Sequence, residues 1–94
     1  MTARTIVTVT MPEGAPVLET VPPSATIDAS VSLSEHLVRV ALHGSGAVEV
    51  RFSGMDVADV DVRGGYVFAI PGEPYVVRAH VEGRLSISAR LRRR

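Results

Sequence analysis

Cysteine, tryptophan, lysine, asparagine and glutamine are all missing from this 94-residue chain, and the first three absences narrow what it can be. Without cysteine there is no disulfide framework and no thiolate metal site, so stability rests on packing alone. The aromatic set is only Phe52, Tyr66, Phe68 and Tyr75, too small for an extended stacking platform of the kind that binds single-stranded nucleic acid. Every fixed positive charge is arginine. Ten arginines balance ten acids, so the overall field gives no attraction for nucleic acid or anionic lipid. Lysine suits exposed edge strands well, so its absence has no folding reason and points to a GC-rich coding sequence. No apolar run approaches the roughly 20 residues of a membrane span, and the first ten residues alternate instead of forming a signal-peptide block. The expectation is a soluble, unexported protein with no membrane partner.

What is present is a two-residue alternation. Ile27, Ala29, Val31 and Leu33 take one parity while Thr26, Asp28, Ser30 and Ser32 take the other. Leu85, Ile87, Ala89 and Leu91 repeat the device against Ser86, Ser88, Arg90 and Arg92. Successive strand side chains point to opposite faces, so this pattern makes sheets with one dry and one wet face. No long window carries the three- and four-residue recurrence of an amphipathic helix.

Prolines at positions 12, 16, 22 and 23 break the chain after a leading strand, so residues 1–24 read as an N-terminal strand and a Pro-rich arm outside a compact β-domain at 25–94. Within that domain, strands are expected at about 25 to 33, 36 to 42, 47 to 53, 56 to 62, 66 to 70, 75 to 81 and 84 to 92. The turns between them are placed at His43-Gly44-Ser45-Gly46, Arg63-Gly64-Gly65, Pro71-Gly72 and Glu82-Gly83. Met55 and Val57 differ in parity from Val60 and Val62, which puts a bulge near Ala58 and Asp59. The fold class is therefore all-β: a small antiparallel β-sandwich or barrel of about seven to eight strands with an extended arm. Val50, Phe68, Val77, Ile87 and Leu91 are the expected core. By parity, Tyr66 and Phe68 go inward with Ile70.

No set of residues announces a chemistry. His36, His43 and His80 are scattered and have no cysteine to assist, so no metal site is expected. Asp56, Asp59 and Asp61 lack the glycine-containing loop and closing glutamate of an EF-hand. Ser45 near His43 has neither a nucleophile elbow nor an oriented base, and no phosphate-cradling loop exists. No catalytic residue and no cofactor is expected, and the chain reads as a non-enzyme. Two features suggest partner binding. The leading strand, through Ile6, Thr8 and Thr10, can add to a partner sheet, and Arg90, Arg92, Arg93 and Arg94 can dock on acidic groups.

The segments GSGAVEVRF at residues 44 to 52, GYVFAIPGEPYVVR at 65 to 78 and EGRLSISAR at 82 to 90 resemble small β-sandwich virion proteins of tailed bacteriophages from GC-rich hosts. Capsid decoration proteins and tail or baseplate accessories are of this type. The resemblance covers about residues 37 to 92 and rests on turn and strand style, with no catalytic role to transfer. It implies a structural protein of the virion, assembled in the host cytoplasm. Its partners would be other virion proteins such as a major capsid protein, with many copies or a homo-oligomer in the assembly, while the balanced charge makes nucleic acid an unfavoured partner. The alternative is a carbohydrate- or ligand-binding β-sandwich module, which exposed aromatics would favour.

Overall fold

The alternation becomes seven strands in the computed structural model, which describes residues 5–12, 14–21 and 27–92: β1 (Thr5–Thr10), β2 (Val17–Val21), β3 (Ile27–Ser34), β4 (Leu37–Phe52), β5 (Val57–Arg63), β6 (Val67–Ile70) and β7 (Tyr75–Leu91). Strands hold 77% of the described residues and helices none, so the chain is all-β.

Two of the expected turns do not turn. His43-Gly44-Ser45-Gly46 and Glu82-Gly83 lie inside single long strands, because β4 and β7 pair antiparallel without interruption from Leu37↔Arg90 to Phe52↔Tyr75. Glycines meet where the ribbon passes from one half to the other. Gly44 pairs with Gly83, and their φ angles of 140° and 95° are open to glycine and rarely to other residues. Glycine at both positions lets the ribbon bend here, so that its two halves carry different flanking strands within one seven-stranded sheet.

On one side of the bend, β3 and β5 flank the ribbon, by pairing with β4 and β7 respectively. On the other side, β1 pairs with β4, β2 with β1, and β6 with β7. The β1–β4 ladder is parallel, so the assembly is mixed and not wholly antiparallel, and it does not close into a barrel. Both halves turn their apolar parity to one core. Val7, Val9, Val38, Val40, Val48, Val50, Phe52, Val77, Val81, Ile87 and Ala89 are all fully buried within a single cluster. Burial from both halves is what a two-layer arrangement requires.

The N-terminal segment needs correcting. Residues 5 to 10 and 17 to 21 are not an arm outside the compact part: β1 lies between β2 and β4 with Val7 and Val9 in the core. The reason lies in Thr5, Val7 and Val9, which share a parity that the rest of the core can cover. The expected bulge is present, as a register shift between Val57 and Asp59, and it returns Val60 and Val62 to the inner face.

The core assignment is testable through parity. Val7→Ala, which empties a fully buried site, is expected to lower stability by about 1 to 3 kcal/mol, while Thr8→Ala on the same strand costs under about 0.5. Ile87→Ala and Ser86→Ala form the matching pair on β7, with about 2 to 5 kcal/mol for the first. Urea unfolding reads all four. Equal losses within either pair would mean that the faces are assigned wrongly.

Candidate interaction surface

The outer face of the half built from β2, β1, β4, β7 and β6 carries the most unusual residues. Strand register places Ile6, Glu49, Arg78 and Phe68 in one row across β1, β4, β7 and β6. Glu49 has outward parity yet is only 4% exposed. Arg51 Nε donates to its Oε2 at 2.6 Å and Arg78 Nε to its Oε1 at 3.0 Å, so two guanidinium groups cover the carboxylate. Burial pushes the Glu49 pKa up, but the two arginine hydrogen bonds and their charges outweigh it, and the group is held below the ordinary glutamate value. Charge-assisted bonds reach both oxygens of this covered carboxylate.

At the edge of the same face stands Phe68, 67% exposed, and Tyr66, just before β6, is 96% exposed. The expectation that both rings go inward is overturned. Parity failed here because Val67, Phe68, Ala69 and Ile70 are apolar at every position, leaving no alternation to fix the face. Pairing with β7 decides it: Ala69 opposite the buried Val77 turns toward the core, and Phe68 opposite the exposed Arg78 turns away. The buried rings are Phe52 and Tyr75. Leu91, also expected in the core, is half-buried at the end of β7, while Val50, Val77 and Ile87 are buried.

The other expected contact residues are placed differently. Ile6, Thr8 and Thr10 are half-buried and their strand has neighbours on both edges, so β1 has no free edge to offer a partner sheet. Arg90 donates to both carboxylate oxygens of Asp59, and Arg92 lies 3.7 Å from Asp56. The acidic and basic stretches that look separate in sequence therefore meet, because the β5–β7 register sets Asp59 opposite Arg90. Hydrogen bonding to Arg90 lowers the Asp59 pKa and raises that of Arg90. Arg93 and Arg94 lie outside the described residues.

Among the described residues no group of three or more His, Asp or Glu side chains could hold a metal ion, and no helix is long and apolar enough to cross a membrane. Comparison with protein-family models, curated proteins and solved structures finds no match.

Glu49 makes stability depend on pH with a definite sign. Its pKa is lower folded than unfolded, so its contribution is complete above the ordinary value of about 4.5 and is lost as pH falls through the folded value. Asp59 acts in the same direction. Glu49→Gln is expected to lower the urea midpoint clearly at pH 7, and the gap from the native protein should shrink as the pH is lowered through the acidic range below 4.5. A gap that stays constant over that range would remove the ionised Glu49 from the account.

Proposed function

We propose that the chain is a non-enzymatic attachment protein that docks on a larger assembly through the outer face bearing Tyr66, Phe68 and Arg78. The observation that carries this is the pair of exposed rings beside an arginine anchored by Glu49. Aromatic residues and arginine dominate the energetic centres of protein interfaces, where their large surfaces are desolvated on binding. Arg78 is held in place by its bond to Glu49, so little side-chain freedom is lost when a partner covers it. The resemblance of residues 37 to 92 to virion proteins of tailed phages supports a particle as the assembly, with a capsid or tail protein as the partner. In that setting the protein would be a decoration or accessory protein present in many copies.

A carbohydrate-binding module is the second reading, and one observation favours it. Tyr66 and Phe68 could stack on sugar rings as well as on a protein, since an exposed ring offers a flat apolar face to either.

Association with the particle separates the two. In purified particles of the virus that encodes it, the protein should be found in stoichiometric amounts, and Tyr66→Ala with Phe68→Ala should reduce its binding to stripped particles at least tenfold without changing its urea midpoint by more than about 0.5 kcal/mol equivalent. Binding to soluble glycans, lost in the same double variant, with none to particles would replace the attachment role by the carbohydrate one. Unaltered particle binding by the double variant would move the interface elsewhere.

A further inference from the structure

The opposite outer face, built on β3, β4, β7 and β5, holds a shallow depression of about 660 Å³. Its middle is small side chains, Ser30, Ala41 and Ser86, which face one another across β3, β4 and β7. Around them stand His43, Arg63 and Arg84, with Asp28 at the far side. Small residues at the middle of a sheet and long cationic ones at its borders make a concave surface with donors pointing over it.

The arginines of this chain divide by partner. Arg51, Arg78, Arg90 and Arg92 each have a carboxylate oxygen within 4.0 Å. Among the described residues Arg39, Arg63 and Arg84 have none, and all three are on this one face. Arg63 lies opposite Ser86, and Arg84 is two residues along the same strand, so the two guanidinium groups are diagonal neighbours. Diagonal neighbours on a sheet are about 7 to 8 Å apart at the backbone, within the reach of long side chains. Gly64 fixes the approach. Its φ is +100°, and a Cβ there would lie 2.6 Å from the Arg84 carbonyl oxygen, so the turn after β5 sits directly on the Arg84 backbone.

We propose that this depression binds a tetrahedral oxyanion, a phosphate or sulfate group, free or carried as an ester. Arg63 and Arg84 grip it from two sides, and His43 and the Ser30 and Ser86 hydroxyls line the same depression. Guanidinium forks match such oxygens bidentately. The anion also relieves the repulsion between two like charges held close by the sheet. Neutral sugar hydroxyls supply no such relief, which sets the anion apart from an ordinary polyol as occupant.

The test is a titration followed by two-dimensional 1H–15N spectra of the whole chain with inorganic phosphate, inorganic sulfate, glucose 6-phosphate and glucose. Saturable shifts at the amides of Arg63, Gly64, Arg84 and Leu85 are expected with the three anions and none with glucose. Tighter binding of glucose 6-phosphate than of inorganic phosphate identifies an ester as the ligand class, and equal binding identifies the free anion. Arg63→Gln and Arg84→Gln should each weaken binding at least tenfold, and Arg84→Lys, which keeps the charge but loses the fork, by an intermediate factor. Arg39→Gln removes the same charge from the same face outside the depression and should change affinity less than twofold. Variant spectra with native dispersion exclude misfolding as the cause. Equal weakening by Arg39→Gln and Arg84→Gln, shifts confined to the face of Tyr66 and Phe68, glucose binding as well as its phosphate, or no saturation by 50 mM anion would each overturn the proposal.

Discussion

Everything in this fold hangs on the paired ribbon of β4 and β7. A 94-residue chain has a small interior, and a single flat sheet of this size would leave its apolar face open to water. Bending one long ribbon at Gly44 and Gly83 removes that problem without a new chain connection, because each long strand serves both layers. Val38, Val40 and Leu42 cover the core on one side of the bend while Val48, Val50 and Phe52 cover it on the other. The parity of β4 is continuous through the bend, so one run of alternation supplies both inner faces. The shorter strands then attach to edges that the ribbon has already created.

Electrostatics follows from that register. A net charge of zero conceals an uneven distribution: of the seven described arginines four are matched by acids, three of them across strands and Arg51 by Glu49 two residues away on its own strand, and three are not. Exposed pairs such as Arg90 with Asp59 add little stability, since water screens them and long side chains lose freedom. Glu49 differs because its carboxylate is covered, so losing either arginine leaves a desolvated charge short of a donor. The unmatched arginines gather on the face where the floor residues are smallest.

How much of this was legible in the sequence depends on whether local pattern or long-range pairing decided the outcome. The all-β class, the bulge at Ala58 and the burial of Val50, Val77 and Ile87 follow from alternation, a local property. The bend of the ribbon did not, because Gly-Ser-Gly and Glu-Gly read as hairpin turns unless the two glycine sites are known to face each other. β1 was legible as a strand but not as a core strand, since a parallel neighbour forty residues away leaves no local mark. The exposed rings of Tyr66 and Phe68 were hidden by an apolar run without alternation. The expected docking of Arg90 and Arg92 on a partner ignored acids that strand pairing delivers from β5. Arg63 and Arg84, far apart in sequence but on paired strands, carry no common motif at all.

The two outer faces differ in chemistry yet share the same two strands, which bears on whether their ligands would influence each other. Coupling between sites needs an element with two arrangements that both ligands bias. The ladder of the ribbon runs unbroken from Leu37 to Phe52 over buried inward side chains, with no register shift between the two faces. A partner on the aromatic face and an anion on the arginine face would therefore each stabilise the folded chain by mass action, and their effects on unfolding would add. For a small domain with a thin margin of stability, that additive gain would be a consequence of binding in its own right, because a copy carrying both proposed ligands would resist unfolding more than a free one.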